Sequence, residues 1–285
     1  MPDELNERAR YDYEQARRKS FVNRALAALS GEPTSLLSYD EIRKKLHIGG
    51  PVYQGVQTVQ LDQIAGSLNR YHQFDRFFLP TQDTDSQRWQ NISRVMYQDI
   101  DLPPVVLYKV GQVYFVVDGH HRVSVAREQG VEFIEAEVRE CATRVDITPD
   151  LKPEDLEILH TKVHFLERSH LDVLRPGSNI DLTIPDGFDR ILEHIAVHGY
   201  FMGLDLKRDI TDAEEVTDWY DKVYLPIVNV IRSCDILDDF PEKTEGDLYL
   251  WVLDRQRYLH DTGTRSLQPP EVAAKEYVNR TRKGE

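Results

Sequence analysis

Between residues 105 and 138 the apolar positions change period twice. Val105, Val106, Leu107 and Val110 fall in one apolar, β-branched run, and Val113, Tyr114, Phe115, Val116 and Val117 in a second, with Gly111-Gln112 between them. Two such runs joined by Gly-X predict a β-hairpin whose tight turn uses glycine at positive φ. The second run stops at Asp118-Gly119-His120-His121-Arg122. Val123, Val125 and Ala126 then begin a helical pattern, and Gly130 is placed to close it. From Val131 to Val138, Ile134, Ala136 and Val138 alternate with Glu135 and Glu137, which predicts a further strand.

The flanks read differently. Residues 4–30 predict one long helix, with Tyr13, Ala16, Phe21, Ala25, Ala28 and Leu29 as its apolar stripe. Arg8, Arg10, Arg17, Arg18, Lys19 and Arg24 make it basic, and Gly31 ends it. Ser38-Tyr39-Asp40-Glu41 is a capping box that opens a short helix reaching Leu46. Residues 52–64 predict a strand, and residues 81–100 a helix around Trp89, Ile92, Val95 and Met96. After Asp146 the chain reads as helical. Pro153 suits a first turn, Asp186-Gly187 another start, and Thr211-Asp212-Ala213-Glu214 a second capping box. Pro226 is expected to kink the helix opened by that box. A further helix is expected near Thr244-Glu245-Gly246-Asp247, and a last one from Glu271 to Asn279. The fold class expected is α+β: a helical N-terminal arm (1–50), a small mixed-sheet domain (51–140) and a mostly helical, acidic C-terminal domain (141–285).

Charge sharpens this division. The 285 residues carry a net charge of −14, distributed as +1, −4 and −11 over the three segments. An acidic C-terminal half repels phosphate backbones and disfavours broad nucleic-acid binding, while a local basic face could still bind. No apolar run approaches the ~20 residues of a membrane span, and the start lacks a signal-peptide core. The only two cysteines, Cys141 and Cys234, form no Cys-x-x-Cys pair. A reducing cytoplasm is therefore the expected setting.

Candidate chemistry concentrates at the strand-to-helix turn. A strand that ends at Asp-Gly and enters a helix presents free N–H groups and the positive end of the helix dipole. Gly119 lets a ligand approach the backbone, Arg122 can fork onto phosphate oxygens, and His120 and His121 add donors. Asp118 is the candidate for holding a metal ion or accepting a proton, and alternatively for N-capping the helix. His160-x-x-x-His164 with Glu167, and His194 with His198, have helical spacings that could bind zinc. Neither completes a zinc signature, and surface or core histidines that hydrogen-bond locally are the favoured explanation of both.

The hairpin, Gly-x-x-Arg turn, helix and strand of Pro104 to Val138, with an upstream strand at Val56 to Ile64, resemble the ParB/sulfiredoxin superfamily. The resemblance covers roughly residues 51–140. Asp118-Gly119-His120-His121-Arg122 is most similar to the free-serine-kinase branch, and the chain as a whole to a bacterial ParB-like family with added helices. In that superfamily the Gly-x-x-Arg turn binds nucleotide phosphates. The resemblance therefore implies a nucleoside di- or triphosphate with Mg²⁺, held by Gly119, His120, His121 and Arg122, with Ser67 and Arg70 as further ligands. Asp118 would be the metal ligand, and Asp118 and His120 the catalytic pair. Sulfiredoxins carry a catalytic Cys where His120 stands, ParB partition proteins carry Glu-Arg where His120-His121 stands, and the kinase branch has a Glu after its first strand. Here that last region reads Ala65-Gly66-Ser67-Leu68-Asn69-Arg70. The expectation is thus a nucleotide- or phosphate-binding protein with Mg-dependent phosphotransfer or hydrolysis as its activity. The alternative is a ParB-like, DNA-associated regulator without turnover that touches DNA through the basic N-terminal helix. A homodimer is compatible with either.

Overall fold

The computed structural model of the chain describes residues 2–261 apart from 32, 70, 71, 83, 84 and 99. It is α+β. The chain divides into two compact units, residues 1–156 and 157–285, and passes from one to the other within a helix.

The first unit opens with α1 (Pro2–Ser30). A two-residue strand, β1 (Leu37–Ser38), precedes α2 (Tyr39–Lys45), whose N-cap Ser38 accepts a hydrogen bond from the Glu41 amide. Next come β2 (Pro51–Gln60), a short 3-10 turn over Leu61–Gln63, and β3 (Ile64–Ser67). α3 (Ser86–Tyr97), β4 (Val105–Val110), β5 (Val113–Asp118), α4 (His120–Glu128) and β6 (Phe133–Cys141) complete the unit. The hairpin is as the pattern predicts: β4 and β5 pair antiparallel, and Gly111 turns at φ 58°. The single strand expected over residues 52–64 is two strands. The Leu61–Gln63 turn separates them, so β2 lies at one edge of the sheet while β3 pairs parallel with β5. The six-stranded order is β1-β3-β5-β4-β6-β2, with parallel and antiparallel pairs mixed.

One face of this sheet meets the helices. Val105, Leu107, Val116, Ala136 and Val138 form a core with Val123 and Ala126 of α4 and with Phe74 and Phe78. On the other face Tyr39 of α2 packs edge-on against Tyr108 and Phe115 and lies 3.4 Å from Cys141 Sγ. α1 joins the helical layer through Ala9, Tyr13, Ala16 and Ser20, all buried at helical spacing. The apolar stripe read from the sequence is corrected here. Phe21 and Leu29 are 73% and 86% exposed, because they fall out of helical phase with the stripe of Ala9, Tyr13, Ala16 and Ser20. Tyr13 meets Trp89 edge-on, and Trp89 Nε1 donates 2.9 Å to Ser124 Oγ, which locks α1, α3 and α4 together.

Among the described residues the regular elements of the second unit are all helical. Its elements are the remainder of α5 (Pro153–Ser169), α6 (Leu171–Leu174), α7 (Gly187–Leu206), α8 (Asp212–Trp219), α9 (Leu225–Ser233) and α10 (Glu245–Asp261). The capping box at Thr211 and Glu214 is present in full. Pro226 does not simply bend a helix. A π turn over Tyr220–Tyr224 joins α8 to α9, and Leu225 donates to the Tyr220 carbonyl. Pro226, lacking an N–H, falls where an ordinary helical bond to the turn would be lost. Trp219, Tyr224 and Tyr249 form the buried aromatic centre of this unit. The helix expected from Glu271 to Asn279 lies outside the described residues.

A tight turn over residues 75–79 supports the helical layer of the first unit. The Asp75 carboxylate is buried, and its Oδ1 accepts from the amides of Phe77 and Leu79, each at 2.9 Å. This holds Phe78, whose ring is fully buried, at φ 58°. Asp75→Ala is expected to lower stability by about 2–3 kcal/mol, because two amides lose their acceptor, as read by denaturant unfolding. Burial raises the Asp75 pKa above the usual carboxylate range. The charged form is therefore the costly one in the folded state. Stability should fall as pH rises from the unfolded value through the raised one, and Asp75→Ala should flatten that slope.

Candidate functional site

The site is built at the corner where β5 becomes α4. Gly119 is the N-cap, at φ 97° and ψ 21°, with no side chain to cap the helix. The helical ladder begins with the Val123 amide on the Gly119 carbonyl at 3.0 Å, so the first-turn N–H groups lie ahead of it. A Cβ on Gly119 would fall 2.6 Å from Val105 Cγ1. Glycine is therefore required both by backbone conformation and by the closeness of β4.

Arg122 and Asp118 face each other across this corner. Arg122 Nη2 donates to Asp118 Oδ2 at 2.7 Å, and its Nη1 donates to the carbonyls of Pro104, at 3.0 Å, and Pro103. Three of the five guanidinium donors are thus used inside the protein. The Arg122 side chain is nearly buried while the Asp118 carboxylate is exposed. Asp118 does not N-cap α4: that position belongs to Gly119, and the carboxylate turns instead to Arg122.

The two histidines point inward. His120 Nε2 and the Ser67 hydroxyl share a 2.8 Å hydrogen bond, and Ser67 is fully buried on β3. The His120 ring stacks on Phe74 at 6.2 Å, and Phe74 meets His121 edge-on at 5.5 Å. His121 Nε2 lies 3.7 Å from an Asp85 carboxylate oxygen. The space among Tyr13, Phe74, Trp89 and His121 is about 10 Å³, so His121 is packed rather than open on that side. Ser67, expected as a ligand, acts here as the partner that orients His120. Arg70 lies outside the described residues.

Beyond the corner a cleft of about 200 Å³ opens, lined by Asn69, Arg88, Ile92 and residues 117–122. Arg88 and Ile92 come from α3 and are one helical turn apart, on one face. Arg88 is exposed and makes no ion pair or hydrogen bond among the described residues. Sequence reading overlooked Arg88 and Asp85. The usable signal was the buried Trp89, which fixes the phase of α3 and so directs its neighbours.

By itself the corner offers a metal ion one carboxylate. Asp118 is a single carboxylate already paired to Arg122, and the described residues hold no group of three His, Cys, Asp or Glu side chains suited to a metal. The histidines of the second zinc spacing have other partners. His198 pairs with Asp218 at 2.8 Å, and His194 Nδ1 meets the Tyr249 hydroxyl at 3.3 Å. A larger groove of about 540 Å³ opens at the far end of α4 between Lys19, Asp62, Phe77, Arg127 and Glu128. There Lys19 pairs with Glu128 at 2.8 Å, and Arg127 donates to the Leu61 and Ile64 carbonyls. Its cations are committed, so the corner at Gly119 is the stronger candidate.

Gly119→Ala should destabilise the first unit by roughly 2 kcal/mol or more, from left-handed backbone strain and the clash with Val105. Thermal unfolding checks the size. Amide chemical shifts confined to residues near 105 and 118–122 would show that the corner, rather than the whole sheet, carries the strain.

Comparisons with known proteins agree with the geometry at the level of one domain. Residues 52–152 match the family model of the ParB N-terminal domain. Among solved structures, a Pnob8-like ParB-N domain is matched at 10% identity, over 75% of this chain and 83% of that chain, with a TM-score of 0.22. Superposition that loose contributes nothing on architecture. No curated protein matches. No helix among the described residues is long and apolar enough to cross a membrane. The Gly-x-x-Arg corner, the hairpin before it and the strand after it all fall inside the span that is similar to the ParB N-terminal domain.

Proposed function

We propose that the cleft at the start of α4 binds the phosphate groups of a nucleotide, with Arg88 as the cation that meets them. One observation carries this reading: an uncapped helix N-terminus at Gly119 opens into a cleft whose one unpaired cation among the described residues is Arg88. Helix starts of this kind favour anions through their N–H groups and dipole. At about 200 Å³ the cleft suits phosphoryl groups, and the ribose and base would lie outside it. Arg122 shapes the corner and has two donors left to offer. His120 is held in a fixed orientation by Ser67 and Phe74. Among the described residues no group of three metal-ligating side chains includes Asp118. Binding is therefore better supported than turnover, and no phosphotransfer step is assigned to these residues.

A second reading, DNA contact through α1, rests on a separate observation. Arg18 and Arg24 are exposed and make no ion pair or hydrogen bond among the described residues, whereas Lys19 is held by Glu128. DNA binding through this helix would weaken steeply with salt and be lost in an Arg18→Ala/Arg24→Ala double variant.

Calorimetric titration with ATP, ADP, CTP and GTP in the presence of Mg²⁺ tests the first reading. Arg88→Ala should weaken the preferred nucleotide roughly 10- to 100-fold, the range for losing a charge-assisted hydrogen bond, with the melting temperature unchanged. Arg122→Ala should reduce both affinity and stability. Silence from all four nucleotides with the wild type, or full affinity in Arg88→Ala, would sink this assignment.

A further inference from the structure

We infer that β2 is the surface through which two copies of this chain associate, edge to edge, as one continuous antiparallel sheet. β2 ends the strand order, so among the described residues one side of Pro51–Gln60 has no strand beside it. Eight of its ten residues are exposed, among them Val52, Tyr53 and Val56, each more than half exposed. On the face it shares with β6, Tyr53, Val56, Thr58 and Gln60 stand opposite Arg139, Glu137, Glu135 and Phe133. Phe133 is itself 50% exposed, which continues the apolar surface inward from the edge.

What is missing from β2 is as informative as what is present. None of its ten residues is charged, in a chain where 29% of residues are. Edge strands that stay single are usually protected by lysines, inward charges, prolines or bulges. Here Pro51 stands only at the first position, and one bulge interrupts the strand, where Gly55 turns at φ 88° between Tyr53 and Val56. Val56–Gln60 remains regular, paired residue by residue with β6, and its outer side is unguarded.

The occupant is identified by the opposite edge and by charge. That edge, β1, is two residues long and cannot match a ten-residue strand. The strand of equal length that a second copy can bring is β2 itself. Pairing β2 with β2 is isologous and closes at two copies instead of growing into a fibre. An edge without charge offers nothing to select a basic or acidic peptide, whereas it is complementary to another uncharged strand. Each copy carries −14, so two copies repel at long range, and salt should screen that repulsion.

Sedimentation of the full chain over a concentration series, at low and high salt, reads the association directly. A monomer–dimer equilibrium that tightens with added salt is expected. Val56→Lys places a cation opposite Glu137 in its own sheet, so the monomer should keep its fold and melting temperature. The same change sets like charges into the paired edges and should raise the dissociation constant about tenfold or more. Hydrogen exchange gives an independent readout: β2 amides that face away from β6 should be protected in the dimer and exchange freely on dilution. A wild type that stays monomeric throughout, or a dimer untouched by Val56→Lys, would overturn the proposal. Outward amides already protected in a dilute monomer would assign the edge to another segment of the same chain, which also overturns it.

Discussion

Gly119 cannot carry a side chain, and the first unit is arranged around that fact. Val105 approaches so closely that a single Cβ would collide with it. The approach lets β5 turn at once into α4, and α4 then lies across the sheet with Val123 and Ala126 in the core. Everything that gives the corner chemistry depends on this close turn. It points the start of α4 at the cleft, sets His120 over Phe74 against Ser67, and brings Arg122 within reach of both Asp118 and the two proline carbonyls. A looser connection would leave an ordinary exposed helix start, with its first amides turned to bulk water.

Much of this corner was legible because its signals are local. The hairpin, the Asp-Gly stop and the helical restart each lie within a few residues, and their periods differ sharply. The split of β2 from β3 was not legible. Leu61–Gln63 holds no glycine or proline, and its apolar Leu61 continues the strand pattern. The face of α1 was misread for a related reason. Its buried set includes Ala9, Ala16 and Ser20, small residues with weak hydrophobic signals, whereas the conspicuous Phe21 and Leu29 lie off that face of the helix. Arg88 escaped notice because a cation on a polar helix looks like a solvated face until the phase of Trp89 is known. Arg122 shows the opposite limit. Its type suited phosphate, yet Asp118 four residues earlier was visible all along and takes part of its guanidinium.

The corner also separates the needs of binding from those of catalysis. Binding an anion takes oriented donors and an accessible cation, and these are present in the backbone of α4 and in Arg88. Moving a proton takes a base with freedom to exchange it and a neighbour that tunes it. The imidazole of His120 is instead clamped between a buried hydroxyl and an aromatic ring.

The π turn over Tyr220–Tyr224 has a consequence for how the second unit can vary. α8 and α9 run on from each other without a loop, so they behave as one rod in continuity. They are not one rod in phase, because a π turn absorbs an extra residue and rotates the downstream helix by about 100° relative to an uninterrupted α-helix. The buried positions on the two sides, Val216 and Trp219 before it and Ile227, Val228 and Ile231 after it, face a common core only with that rotation included. Loss of one residue there would leave the helix intact and its hydrophobic face misdirected. Length at this point is therefore as much a part of the core as any side chain.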